Sequence, residues 1–311
     1  MMPRRLVAAL AALAAGVAGL GVATLQATPA ASIPRLQIGD AHAEFAPSLR
    51  GDEPIFILIL GSDARPGTPL EGGLCDSIHV LGINPEAKRA TLVGIPRDSY
   101  VPLSTGGSGK INVALAQGGT EGMIATVEDL AGVTLDYYVL TGFDGFKTIV
   151  DALGGFEIDA PYSFEGHEGS SFEEGRQTLT GSEALEYSRT RKSLSQGDFD
   201  RSMNQGRVLL GAFAQFRAEF RTDPTALFRW IAIGSRNVVT DVPLNELLTL
   251  AFTSSEIGPK RVTNLVAVGS IGTAGGASVV NLPSPNPVFQ DVAEDGFILP
   301  KDVPAANAPS G

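Results

Sequence analysis

Residues 54–99 read PIFILILGSDARPGTPLEGGLCDSIHVLGINPEAKRATLVGIPRDS, and this stretch decides the fold. Residues 55–60 are an unbroken apolar run of strand length, which predicts a strand covered on both faces. Asp63 and Arg65 follow it. A second strand is expected at 78–83, with Asp76 at its start and Asn84-Pro85 as the turn after it, and a third at 90–95, with Arg97 and Asp98 just beyond. A two-turn meander returns the end of the first strand, the start of the second and the end of the third to one edge. Asp63, Asp76 and Arg97 are therefore expected to meet, at the kind of edge where open α/β sheets bind ligands. Two carboxylates there repel unless a cation or an arginine lies between them. A divalent ion held by one or two carboxylates plus substrate phosphates suits such a pair. The same residues also read simply as caps, Asp63 and Asp98 of turns and Asp76 of a strand start.

Residues 184–216, ALEYSRTRKSLSQGDFDRSMNQGRVLLGAFAQF, carry a second signal. Arg189, Arg191 and Arg201 stand beside Asp198 and Asp200, just ahead of an apolar stripe at Val208, Leu209, Ala212, Phe213 and Phe216 spaced as one helix face. Arg189 and Arg191, two apart, share a face if the segment is extended. Arg201 and Gln205, four apart, share a face of the following helix. Guanidiniums grip phosphate oxygens in pairs and keep their charge, which suits a diphosphate. The alternative is surface charge paired with Asp198, Asp200 or Glu186. The stripe reads either as core or as the wall of an apolar tunnel.

The chain has 311 residues, 43% apolar, with a formal net charge of −11, yet residues 181–210 hold five bases against four acids. A basic island in an acidic protein points to a local anionic ligand and excludes nucleic acid, whose backbone demands a broad cationic surface. One cysteine, Cys75, precludes an internal disulfide, and three scattered histidines (His42, His79, His167) make a histidine zinc site a poor fit.

The chain opens MMPRR, and residues 6–25 then carry no charge over a length sufficient for about 30 Å of hydrocarbon. This is an export segment, read either as a retained single-pass anchor with Arg4 and Arg5 inside or as a signal peptide cleaved near 27–32, giving a secreted or periplasmic protein. Both put the working domain outside the cytoplasm. Residues 26–53 read as a linker.

Further along, GGSGKIN at 106–112 fails as a phosphate loop, because Ser104 and Ile111 stand where that motif needs Gly and Ser or Thr. Lys110 is left as a candidate anion ligand or a solubilising surface charge. Helices are expected at 122–130 and 143–153 and strands at 137–140 and 156–159. Residues 161–178 read as a loop near the site, and a capping box at 180–183 opens a short helix through 187. A long helix follows over 200–220, with helices at 224–239 and 244–253, strands at 262–268 and 278–282, and a tail from 304 without regular structure.

The ordered run ILGSDAR, CDSI, GIPRDSYV, KIN, VDALGG, LTGSEALEYSRTR, GDFDRSMNQ resembles the LytR-CpsA-Psr family of cell-envelope glycopolymer transferases. The resemblance implies an α/β fold with a central mixed, largely antiparallel sheet flanked by helices as an α/β/α sandwich. It places one extracytoplasmic catalytic domain at 54–298 after the N-terminal segment 1–25, with a disordered tail at 299–311. It implies transfer of a glycan phosphate from a polyprenyl diphosphate to a peptidoglycan sugar hydroxyl at the cytoplasmic membrane, with the lipid in an apolar tunnel. The family's metal carboxylates fall on Asp63 and Asp76, for Mg²⁺ or Mn²⁺. Its diphosphate ligands fall on Arg97, Lys110, Arg189, Arg191, Arg201 and Gln205. Arg97, Arg189 and Arg191 would stabilise the leaving phosphate, and Asp198 or Asp200 would accept the hydroxyl proton. Cys75 and Asn204 stand where the family commonly has basic residues, which removes positive charge from the expected site. Two other readings remain: a non-catalytic envelope binder or regulator, and a Mg²⁺-dependent polyprenyl pyrophosphatase.

Overall fold

The computed structural model describes residues 53–304. In chain order the elements are β1 (Ile55–Ser62), β2 (Cys75–Asn84), β3 (Arg89–Gly94), β4 (Tyr100–Pro102), β5 (Ser108–Lys110), α1 (Val113–Ala131), β6 (Tyr137–Gly142), α2 (Phe143–Ala152), β7 (Phe156–Ala160), β8 (Phe164–Glu165), β9 (Ser171–Phe172), β10 (Gly175–Leu179) and α3 (Gly181–Arg189). There follow α4 (Asp198–Thr222), α5 (Ala226–Gly234), β11 (Val238–Thr240), α6 (Leu244–Glu256), β12 (Val262–Val266), β13 (Ser270–Ala274), β14 (Ala277–Asn281) and α7 (Pro287–Asp295).

A six-stranded sheet runs β11-β6-β1-β2-β3-β12. The meander β1-β2-β3 is antiparallel as expected, β6 and β12 add in parallel to β1 and β3, and β11 closes one edge antiparallel to β6. The sheet is mixed with antiparallel pairs in the majority. The apolar run of β1 is buried on both sides. Phe56, Leu58 and Leu60 pack with Leu115, Met123 and Val127 of α1 and Phe289 of α7, while Ile55 and Ile57 share the opposite cluster with Phe213 of α4 and Leu250 of α6. Helices therefore cover both faces, which is why β1 shows no polar alternation.

Several elements depart from the sequence reading. α1 begins nine residues before the expected 122, with a break at Gly119 (φ 65°) that hides its period, and the Glu71 carboxylate accepts the freed Thr120 N–H over 2.9 Å. Residues 161–178 are not only loop, since β8, β9 and most of β10 lie there. The helix expected through 239 stops at Gly234, and the β-branched Val238–Thr240 becomes the sheet-edge strand β11. The capping box forms as read, Thr180 Oγ1 accepting from Glu183 N and Thr180 N donating to Glu183. Residues 299–304 form a turn with Val303 against the main core, so the packed fold runs past 298. Among the described residues no helix is long and apolar enough to cross a membrane. The apolar segment at 6–25, the linker to 52 and the end of the tail lie outside the described residues.

Candidate functional site

The site forms where the N-terminus of α4 meets the edge made by β1, β2 and β3. Two features fix that contact. His79 on β2 is fully buried, its Nε2–H donating to the Ser202 carbonyl of α4 over 3.1 Å and its Nδ1 accepting from the Ser77 hydroxyl over 3.2 Å. Burial holds its pKa down to about 4, so it is a neutral strut. Gly94 on β3 lets the helix close, because a Cβ there would lie 2.5 Å from Ser202 Oγ.

Around this joint Arg97 pairs with Asp76, Arg201 pairs with Asp198, and Asp98 gathers Lys110 Nζ at 3.1 Å, Arg191 at 3.5 Å and Arg97 Nε at 3.9 Å. The Asp98 amide donates to Asp198 Oδ2 over 3.3 Å. Four cations thus face three carboxylates, an excess of one positive charge in a chain whose net charge is −11. Burial, together with neighbouring Arg97 and Arg191, pushes the Arg201 pKa below its ordinary value despite Asp198. Burial also opposes charge on Arg97, but Asp76, Asp98 and Asp198 outweigh it and its pKa is raised. Arg97 Nε is buried without a hydrogen-bond partner. An arriving anion would relieve both arginines.

Asp76 and Gln205 also line an apolar cavity of about 80 Å³ whose walls include Ile59, Phe146, Val208 and Leu209, and Arg189 closes its far side. Arg189 lies over the Phe143 ring, 4.6 Å from its centroid, and pairs with Glu168 at 3.2 Å. A second cavity, about 300 Å³ and lined by charged groups, lies on the other side of Arg189 and contains Asp63, Arg65, Lys147 and Glu168. A third, about 660 Å³ and chiefly apolar, opens between α5 and α6 and is lined by Phe216, Trp230, Ile231, Leu247 and Leu250. The stripe on α4 is both core and cavity wall: Val208 and Leu209 line the first cavity, Phe216 the third, and Ala212 and Phe213 pack between sheet and helices.

Residues 24–286 match the LytR_cpsA_psr family. The chain belongs to that family. A Bacillus anthracis protein named polyisoprenyl-teichoic acid–peptidoglycan teichoic acid transferase TagU is 41% identical over 162 residues, 51% of this chain and 52% of that protein. Its Bacillus subtilis namesake is 37% identical over 165 residues, 53% of each. The chain spans about half the length of these curated relatives in the matched region. Among solved structures, B. subtilis TagV aligns with a TM-score of 0.67 at 29% identity, covering 78% of this chain and 96% of that one. B. subtilis TagU aligns at 0.60 and 26%, covering 81% and 100%.

For a LytR_cpsA_psr protein the expected site residues are placed as follows. Asp76, Arg97, Lys110, Arg191, Asp198 and Arg201 form one network. Arg189 faces it across the first cavity, because residue 189 ends α3 and only Thr190 is extended, so the same-face geometry expected of Arg189 and Arg191 does not arise. Gln205 and Arg201 both lie on α4 as expected and both are buried, but the Gln205 amide nitrogen donates to the carbonyls of Asp76 (3.0 Å) and Ser188 (3.1 Å), so it ties β2 to α3. Asp63 does not touch Asp76 or Arg97. Its Oδ1 accepts from Leu74 N over 2.6 Å, and its backbone N–H donates to Leu74 O over 2.9 Å, which turns it toward the second cavity. Asp198 is held by Arg201 and the Asp98 amide, and Asp200 accepts from Gln196 N and Ser195 Oγ, so neither stands ready as a base. Cys75 and Asn204 are fully buried and line neither cavity beside Arg189, so their lack of charge subtracts nothing from those walls. Burial raises the Cys75 thiol pKa, which leaves it inert.

Among the described residues no cluster of three or more His, Cys, Asp or Glu is arranged to hold a metal. The donor set fits a shared ion better than a caged one. Asp63 and Asp76 each have Oδ1 engaged, by Leu74 N and by Arg97. Two carboxylates completed by substrate oxygens and water match what Mg²⁺ accepts.

Three residues take roles that the sequence does not announce. Asp98, expected beside Arg97 at the end of the third strand or as a turn cap, is the hub of three cations. Glu186, 5% exposed, accepts from Glu168 N, Ser170 N and Ser170 Oγ, and thereby fixes the 166–170 loop. Burial works against its charge, but these donors outweigh it and hold its pKa below the ordinary value. Glu168, at the tip of that loop, meets Arg189. An acidic residue in a polar loop carries no sequence signal that distinguishes it from solvent-facing charge.

Proposed function

We propose that this protein moves a glycan phosphate from a polyprenyl-diphosphate carrier to a sugar hydroxyl of peptidoglycan, outside the cytoplasm and at the membrane. The observation that carries this reading is the junction of a cationic cluster with an apolar cavity: Arg97, Lys110, Arg191 and Arg201 gather around Asp76, Asp98 and Asp198, and Asp76 also lines the cavity, whose wall includes Arg189, Leu209 and Phe146. A diphosphate ester of a long lipid asks for that combination and few other ligands do. Family membership and the printed activity of the TagU relatives support the same class of substrates. The uncharged run at 6–25 supports an exported chain that stays at the membrane.

Phosphoryl transfer requires positioning and charge neutralisation more than covalent help. In this reading Arg97 and Arg191 take the phosphate oxygens, exchanging internal carboxylate partners for the substrate, while Arg201 adds its charge from behind, still paired with Asp198. Lys110 adds a point charge at the rim. Arg189, which lies outside that network and is held by Glu168 and the Phe143 ring, follows the developing charge on the leaving lipid phosphate. Asp63 and Asp76 would hold Mg²⁺ or Mn²⁺, which when bound neutralises non-bridging oxygens. The larger apolar cavity between α5 and α6 would take the lipid.

The test supplies the full chain with a polyprenyl-diphosphate disaccharide, with and without uncrosslinked peptidoglycan strands. Glycan phosphate on the strands together with released polyprenyl phosphate is the expected result. Release to water at an equal rate without strands would make it a pyrophosphatase, and binding without turnover would make it a carrier or regulator. Either outcome overturns the transferase reading.

A further inference from the structure

Arg189 lines both the first cavity and the second, and the second, about 300 Å³, is rich in charged groups where the first is apolar. Glu168 on the 166–170 loop faces the charged groups Arg189 from α3, Asp63 and Arg65 from the segment after β1, Asp144 and Lys147 from α2, and His167 beside it. One aromatic ring, Phe143, is shared with the first cavity. A small pocket of hydrogen-bonding groups around an aromatic ring suits a sugar.

Glu168 is built into this place. Its side chain is 57% exposed, but its backbone is fixed by buried Glu186, and its carboxylate touches both Arg189 (3.2 Å) and His167 Nε2 (3.3 Å). The imidazole is oriented in turn. Thr190 Oγ1 donates to the Glu186 carbonyl over 2.8 Å, so its oxygen accepts from His167 Nδ1–H at 3.3 Å, and Nε2 is left toward Glu168. A carboxylate backed by an oriented imidazole is a proton-accepting pair. Asp198 is paired with Arg201, and Asp200 accepts from Gln196 N and Ser195 Oγ, as described above.

Resting on the transferase reading, we propose that this second cavity is the acceptor-sugar site and that Glu168, backed by His167, is the general base. Donor diphosphate competes with Glu168 for Arg189. Once the arginine turns to phosphate, the carboxylate is released from its ion pair as the acceptor arrives. The acceptor hydroxyl oxygen then bonds to the glycan-side phosphorus, and its proton passes to Glu168 and on to His167 Nε2. The bond from that phosphorus to the bridging oxygen breaks, and the oxygen departs with its electron pair as polyprenyl phosphate. The order is donor first, acceptor second.

The experiment uses the full chain, a polyprenyl-diphosphate disaccharide as donor and a defined peptidoglycan tetrasaccharide as acceptor. Glu168→Gln is expected to lower kcat by about 10²-fold or more, to leave donor binding as tight as in the wild type or tighter, and to abolish the acid limb of the kcat/KM profile. Glu168→Asp should restore part of the rate, and His167→Gln should show an intermediate loss. Lys147→Ala, at the cavity wall, should raise acceptor KM with donor Kd unchanged. Wild-type kcat in Glu168→Gln, or a loss matched by weaker donor binding with an unchanged pH profile, overturns this inference and leaves the transferase reading standing. Failure of the wild-type chain to transfer at all overturns that reading instead.

Discussion

Arg201 forms an ion pair with Asp198, one turn earlier on α4, and keeps only 5% of its surface exposed. Removing one member leaves the other uncompensated in a poorly solvated place. Asp198→Ala should therefore cost about 3–5 kcal/mol, while the double change Asp198→Leu with Arg201→Met should cost distinctly less than the sum of the single changes. Urea unfolding of the four proteins in the cycle reads the coupling, and additive losses would show that the pair is not energetically linked.

Arg189 is a different case, with a side chain 34% exposed and held by Glu168 and the Phe143 ring. Arg189→Ala should reduce transfer more than about 10²-fold while costing only about 1 kcal/mol of stability. Turnover at the wild-type rate would remove this residue from the mechanism.

The ion is tested through Asp63. Asp63→Asn keeps an oxygen for the Leu74 amide (2.6 Å) but discards the charge. Chelation should suppress transfer by the wild-type chain, Mg²⁺ or Mn²⁺ should restore it, and the Asn variant should need a higher metal concentration for half-maximal rate. Transfer that survives exhaustive chelation would exclude the metal.

His79 predicts a pH dependence of stability. Burial keeps it neutral with a pKa of about 4 against 6.5 when unfolded. Between those values the unfolded chain binds the proton that the folded chain refuses. Its contribution is therefore complete above pH 6.5 and declines as pH falls toward 4, by up to about 3 kcal/mol. Urea midpoints measured from pH 7.5 to 4.5 should fall accordingly, and His79→Gln, less stable at neutral pH, should fall less steeply. Parallel curves for the two proteins would contradict the assignment.

Gly234 lines the large apolar cavity, and a Cβ there meets open space. Gly234→Phe should fill part of the cavity without displacing backbone. Donors with long lipid chains should then bind more weakly, and short-chain donors should bind unchanged. Equal affinity for long donors in both proteins would place the lipid elsewhere.

What the sequence revealed follows from how local each signal is. β1 was legible because six consecutive apolar residues admit few other structures, and antiparallel geometry alone brought Asp76 to Arg97. Asp63 went astray for a local reason too: the bulge at Ser62 and the return through Leu74 redirect it, and neither leaves a mark in residue type. Arg189 and Arg191 were read as one extended pair because the end of α3 at residue 189 depends on contacts with α2 and α4. Asp98 and Glu168 were hidden for the deepest reason. Their partners lie at positions 110, 189 and 191, and only the closed fold brings those charges within reach.

The 25 residues of α4 make a rod of about 37 Å at ~1.5 Å per residue. Arg201 stands at one end and Phe216, on the wall of the large cavity, some 22 Å along it. Rigid helices do not stretch, so under the proposed function this rod would serve as a ruler: a carrier too short to reach from the guanidiniums to the Phe216 end would be held by its head alone. Carrier length would then be gauged by the pitch and extent of one helix, without any wall having to recognise where the lipid ends.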